Sequence, residues 1–257
     1  MTSQCSFTCS HCNVKKLCLA NSLDGEKIEI FDEAANRKKP LRKGQMLFDI
    51  GNDFRSLYVV RTGAFKVFEI DEAGVEQVLG FYLPGDIIGL EAIESKQYGC
   101  SAKALETSAV CEISFKKLED FSDSLGGLQQ QIVQAFSHEI RRNQDLQRLL
   151  GKKTADERIW GFLIDMSQRH AKRGLQTSRF RLPMSRIDIA NYVGLAVETV
   201  SRIITRLQNN GLIAIEGKEV VLLQEQGPCP TLRIVPAMRM PAAALDRKSR
   251  VELHATH

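Results

Sequence analysis

RIDIANYVGLAVETVSRIITRLQNNGL, Arg186 to Leu212, has the spacing of a helix-turn-helix unit. Counted from Arg186, Ala190 is the small residue required where two helices nearly touch, and Gly194 takes the tight turn between them. Ile189, Val193, Leu195, Val200 and Ile203 fall where such a unit needs its buried contacts. On the second helix Glu198, Ser201 and Arg202 share one face of the first turns, the face that meets base edges in the major groove. Arg forms a bidentate contact to guanine, Glu accepts from cytosine N4, and Ser serves either way. On a lone helix the same three side chains would be an ordinary solvated face, so it is the surrounding motif that points to DNA. IAIEGKEVVLL then supplies two strands around Glu216-Gly217-Lys218, completing a winged module.

Working upstream, TADERIWGFLIDMSQRHAKRG opens with a Thr154 N-cap and Glu157 three residues later. It carries Ile159, Trp160, Leu163 and Met166 at helical spacing and stops at Gly174, which predicts a core helix. Before it lies LQQQIVQAFSHEIRRNQDLQRLL, Leu128 to Leu150, free of Pro and Gly. There Val133, Phe136, Ile140, Asn143, Gln147 and Leu150 recur at steps of three and four, the seam of a helix that pairs with another helix. The same spacing suits a helix packed within its own domain. The polar Asn143 and Gln147 favour a dimer seam, because polar interruptions occur where register or reversibility matters more than stability.

From Lys43 to Phe115, glycines at 44, 51, 63, 74, 80, 85, 89 and 99 separate short runs such as SLYVV, AFKVFEI and QVLGFYL, rich in branched and aromatic residues. Turn signals at this spacing predict a compact antiparallel roll or sandwich, with Asp71-Glu72-Ala73-Gly74 at one hairpin tip. Residues 21 to about 36 read as a short helix burying Leu23, Ile28, Ile30 and Phe31. In SAVCEISF, Ala109, Cys111, Ile113 and Phe115 alternate onto one face of a final strand, which by spacing alone makes Cys111 a core residue; Cys100 reads the same way.

Four of the seven cysteines, Cys5, Cys9, Cys12 and Cys18, crowd the first 18 residues. An odd count so placed argues against a secreted disulfide framework, and thiolates held close by a short loop suit a soft metal centre. The Cys9 to Cys18 spacing does not name the metal. Four local thiolates would close a tetrahedral zinc site, whereas an iron–sulfur cluster could recruit a distant cysteine. His11, inside the group, reads as a solvated neighbour.

The net charge of +4 is unevenly distributed. Residues 1–150 hold 18 basic and 21 acidic side chains, residues 151–226 hold 12 and 8, and residues 227–257 hold 5 and 2, so the basic excess lies where a polyanion would dock. No run of 18 apolar residues and no signal-like N-terminus is present, which predicts a cytoplasmic protein with no membrane partner. The expected fold class is α+β. A cysteine-rich segment (1–20) precedes an antiparallel β-roll sensor domain (21–124), a dimerisation helix (125–150), a winged helix-turn-helix domain (151–226) and a tail (227–257). The tail holds four of the seven prolines and reads as disordered.

Residues 5 to about 225 resemble the Crp-Fnr superfamily of bacterial transcription regulators, and specifically its oxygen-sensing fumarate-and-nitrate-reduction (FNR) branch. The most specific parts are CSHCNVKKLC, GFYLPGDIIGLEAI, ALETSAVCEI and VETVSRIITRLQNNGLI. The resemblance implies that Cys9, Cys12, Cys18 and Cys111 ligate a four-iron, four-sulfur (4Fe-4S) cluster, with Cys5 an additional, non-ligating cysteine. It implies that a homodimer reads the halves of a TTGAT-type palindrome in double-stranded DNA through Glu198, Ser201 and Arg202, and that exposed loops of the roll contact RNA polymerase. Where the cyclic-nucleotide-binding branch carries an Arg-Ser or Arg-Thr pair for the phosphate, this sequence has Tyr98 and Gly99, so no cyclic nucleotide is expected. The competing reading is a constitutive, zinc-stabilised regulator in which Cys5, Cys9, Cys12 and Cys18 hold the metal and Cys111 is core. An enzyme is not expected, since the sequence offers no catalytic constellation.

Overall fold

Branched and aromatic runs bounded by glycine turns form eight short strands: β1 (Ala35–Arg37), β2 (Met46–Phe48), β3 (Ser56–Thr62), β4 (Phe65–Ile70), β5 (Glu76–Tyr82), β6 (Ile87–Ile88), β7 (Ser101–Ala104) and β8 (Ala109–Ser114). They pair in two four-stranded antiparallel sheets, ordered β1-β8-β3-β6 and β2-β7-β4-β5. The structure is a computed structural model that describes residues 8–120 and 127–224. Cys5, Cys229 and the expected tail lie outside the described residues. The β4–β5 hairpin turns at Asp71 to Gly74 as expected: the Asp71 carboxylate accepts the Val75 N–H at 2.8 Å, and Gly74 supplies the left-handed backbone at φ +80°.

The N-terminal helix is shorter than its sequence suggests. Helix α1 spans Gly25–Ala34, a 3-10 turn occupies Leu19–Ser22, and Ala35 switches to strand. The physical reason is the edge of β8, whose backbone groups are met by β1, with Ala35 opposite Ile113 and Arg37 opposite Cys111. Leu23, Ile28 and Phe31 are buried, and Ile30 only half so. Phe115 also departs from expectation. It begins α3 (Phe115–Asp120) after a further short helix, α2 (Ala92–Ser95), and its ring tilts against Phe54 at 5.2 Å. Val110 is as fully buried as its neighbours on β8, because that strand is covered on both faces.

Helix α4 (Leu128–Lys152) leads to α5 (Ala155–Lys172), β9 (Arg179–Arg181), α6 (Arg186–Val193), α7 (Val197–Asn209), β10 (Ile213–Glu216) and β11 (Glu219–Leu222). Thr154 and Glu157 form the anticipated capping box at α5, and Ser185 and Asp188 form another at α6. The wing has a third strand, β9, within the stretch RFRLPMSR; it pairs with β11 and buries Phe180. At its other end, α4 starts against the Leu19–Ser22 turn. A Cβ on Gly127, the residue before the helix, would lie 3.3 Å from Ser22 Oγ. Leu128 shares one core with Cys9, Leu19, Ala20 and Leu23 from the N-terminal segment and with the roll.

A second core joins the outer sheet of the roll to the C-terminal helices. Phe81 of β5 packs against Phe162 and Tyr192, with ring centroids 6.0 and 5.0 Å away. Beside it the buried Lys66 ammonium donates to Asp188 of α6 at 2.7 Å and to Glu76 at 2.5 Å. Lys66→Ala therefore strands two carboxylates in a largely desolvated site, at a cost of about 3 kcal/mol. Urea denaturation of the variant beside the parent will show the midpoint falling, and an unchanged midpoint would mean that water replaces the ammonium freely.

Candidate cysteine site and nucleic-acid interface

Two short 3-10 turns, Cys9–His11 and Lys15–Leu17, fold the N-terminal segment over β8. Cys9 and Cys111 are buried, while Cys12 and Cys18 are half-buried, with Cys18 packed against the roll's core. The four thiols are electrostatic neighbours: Cys18 feels Cys111 and Cys12, Cys111 feels Cys12, and Cys9 feels Cys18. Cys12 and Cys18 of the N-terminal segment thus lie within electrostatic range of Cys111, some ninety residues later in the chain. Cys100 stands apart and donates to Glu91 at 3.3 Å. His11 is exposed and lies 3.1 Å from the Thr8 hydroxyl.

Burial pushes the Cys18 thiol up to about 12 and raises Cys9 and Cys111 as well. Cationic help comes from two arginines. Arg37 Nη2 lies 3.7 Å from Cys9 Sγ and also binds Asp32 in a short contact, while Arg61 hydrogen-bonds Cys111. Asp32 in turn accepts the Cys9 N–H at 2.9 Å. Sequence reasoning missed this bracket, because nothing local in the sequence ties Arg37 to a cysteine.

The donor set fits an iron–sulfur cluster. Thiols this strongly held in the neutral form become ligands only when a metal supplies positive charge. Among the described residues no three His, Cys, Asp or Glu side chains close around a single ion.

In the C-terminal domain, Ile189, Ala190, Val193, Val200 and Ile203 are all buried, and Leu195 is half-buried. Gly194 turns the chain at φ +64°, in the left-handed region that the tight turn requires. The opposite face of α7 presents Glu198, Ser201 and Arg202 to solvent. Ser201 Oγ donates back to Val197 O at 2.9 Å, which leaves its oxygen lone pairs to accept. Arg158 ties this unit to α4, donating to Leu150 O at 2.7 Å and to Val193 O at 3.3 Å. On α4, Val133 (62 % exposed) and Ile140 (57 %) join Asn143 and Gln147 in solvent. Phe136 is half-buried against the roll's core and Leu150 half-buried near Gly194.

A β-roll joined by a long helix to a winged helix-turn-helix defines a DNA-binding transcription regulator, not an enzyme. Residues 38–124 match the family model described as a cyclic nucleotide-binding domain, and residues 157–227 match the Crp-like helix-turn-helix domain. The chain is 48% identical over 221 residues to the transcriptional activator protein anr of Pseudomonas aeruginosa, covering 86% of this chain and 91% of that one. It is 43% identical over 218 residues to the fumarate and nitrate reduction regulatory protein of Escherichia coli, covering 85% and 87%. Among solved structures, FixK2 from Bradyrhizobium japonicum superposes with a TM-score of 0.67 at 30% identity, covering 74% of this chain and 93% of that one. The chain belongs to the Crp-Fnr family of transcription regulators, in its fumarate-and-nitrate-reduction branch. No helix among the described residues is long and apolar enough to cross a membrane.

Proposed function

We propose that this regulator responds to oxygen through a 4Fe-4S cluster held by Cys9, Cys12, Cys18 and Cys111. The observation that carries this reading is the convergence of Cys111, from a strand, on Cys12 and Cys18 from the N-terminal segment. A zinc site built from Cys5, Cys9, Cys12 and Cys18 gives Cys111 no role. When bound, the cluster supplies an oxygen-labile cross-link between segment and roll. With the link present, Cys18 holds the Leu19–Ser22 turn in place, the turn supports the start of α4, and α4 presents Val133, Phe136, Ile140, Asn143, Gln147 and Leu150 to a second copy. The homodimer then offers two α7 helices to a TTGAT-type palindrome about one DNA turn apart.

Tyr98 supports the absence of a cyclic nucleotide. Its ring is buried, stacks on Phe48 at 3.8 Å and donates its hydroxyl to Ser56 O at 2.7 Å, so an aromatic cluster stands where a phosphate-binding guanidinium would be needed. Exposed loops of the roll are available to RNA polymerase in the cytoplasm.

Protein purified without air is expected to be brown, to bleach in air and to lose operator binding as it does. A colourless, zinc-containing protein that binds the operator equally in air would overturn the reading. For base recognition, Arg202→Ala is expected to cost about 1–3 kcal/mol and to relax discrimination at one base pair of each half-site. Titration over single-base operator variants at fixed salt measures it. Uniform weakening across all variants would make Arg202 a phosphate contact instead.

A further inference from the structure

Between the N-terminal segment, the turn from β5 to β6, α4 and α5 lies a cavity of about 300 Å3, at the lower end of small-molecule sites. Five cations line it, Lys16, Arg142, Arg169, Lys172 and Arg173, against two carboxylates, Asp86 and Glu139. Both carboxylates are engaged. Asp86 binds Arg169 in a short contact and lies 3.5 Å from Arg173, while Glu139 accepts from Arg142 at 2.6 Å and from the Tyr82 hydroxyl at 3.0 Å. Asp165, behind the wall, comes within 3.7 Å of Arg169. Two positive charges remain unmatched.

The unmatched pair is Lys16 and Lys172. Neither forms an ion pair among the described residues, and the Lys172 ammonium lies 3.3 Å from His138 Nε2, a ring whose pKa burial and Lys172 itself lower. Like charges gathered in a concave wall of low dielectric raise the local potential and concentrate anions. A phosphate monoester carries about −1.5 to −2 at neutral pH and so matches both ammonium groups, where one carboxylate would match only half. Tyr98 and Gly99 are absent from the wall, so the cavity is separate from the position at which the family's cyclic nucleotide would need its arginine.

We propose that this cavity binds a small phosphate-bearing anion, bridged between Lys16 of the N-terminal segment and Lys172 of α5. Bound there, the anion ties the cysteine segment to the DNA-binding domain and stabilises their docked arrangement by mass action. The proposal needs no cluster, though Cys18 also lies in the cavity wall.

Isothermal titration of the full-length protein with inorganic phosphate, pyrophosphate and adenosine 5′-monophosphate, at fixed ionic strength, tests it. One saturable site per chain is expected for at least one probe, weakened at least tenfold in the double variant Lys16→Gln/Lys172→Gln and unaffected in Lys152→Gln, an exposed lysine at the end of α4. Both target lysines are exposed, so the double variant keeps its core, and a thermal melt without ligand verifies that. Saturation by inorganic phosphate identifies the free ion as ligand; saturation by adenosine monophosphate alone identifies an ester. Absence of saturation by all three probes, or equal titration of parent and double variant, would sink the proposal.

Discussion

Cys111→Ser is expected to abolish cluster binding while Cys5→Ser leaves it intact. Cys111 sits at the middle of β8, opposite Arg37 and Val59 and within electrostatic range of Cys12. A serine oxygen in that place is a poor partner for iron, and among the described residues the remaining thiol, Cys100, is engaged with Glu91 elsewhere in the roll. The strand survives the substitution, so the loss falls on the cluster and not on the fold. Iron and acid-labile sulfide assayed under nitrogen decide it. Both should fall to background in the Cys111 variant and stay at the parent level in the Cys5 variant, and the reverse outcome would transfer the site to the N-terminal cysteines alone.

The second large effect is expected from Asn143→Leu. Asn143 lies exposed on the face of α4 that also carries Val133 and Ile140, where pairing with a second copy sets amide against amide. Burying imperfectly paired amides weakens a helix pair relative to leucine packing. Each roughly 1.4 kcal/mol regained shifts the monomer–dimer equilibrium about tenfold, and a switch working through a few kcal/mol of coupling is readily overrun. The variant should remain dimeric after loss of the cluster and bind its operator in air. Sedimentation of the cluster-free variant beside the parent tests this: monomers in both over one concentration range would misplace the seam or separate the switch from dimer strength.

The parts legible in the sequence were those whose information is local. The helix-turn-helix declared itself because Ala190, Gly194 and the buried positions around them are set by one short motif, and the β4–β5 turn because Asp71 and Gly74 carry their own turn chemistry. What escaped depends on distant partners. Strand β9 is defined by β11, which comes some forty residues later, and β1 by β8, so neither shows a period of its own. Lys66 and Asp188 are separated by 122 residues. Cys111 by alternation is a core cysteine, and only the family resemblance implies a ligand; the pairing of β8 with β1 sets Arg37 beside Cys111 while that same guanidinium reaches Cys9.

The shared core beneath the N-terminal segment has a consequence for how such a sensor can be tuned. Leu19, Ala20, Leu23 and Leu128 are each no more than 2 % exposed and belong to one packed cluster with the roll. On the proposed mechanism, opening the segment exposes that aliphatic surface, at a cost of roughly 25 cal/mol for each Å2. The oxygen threshold is then a sum in which hydrocarbon volume counts alongside metal chemistry. Trimming a methyl group from Leu19 or Leu128 lowers the threshold and filling a gap raises it, with every thiol left as it was. A lineage moving between microaerobic and fully aerated habitats can therefore retune this regulator through residues that never meet iron.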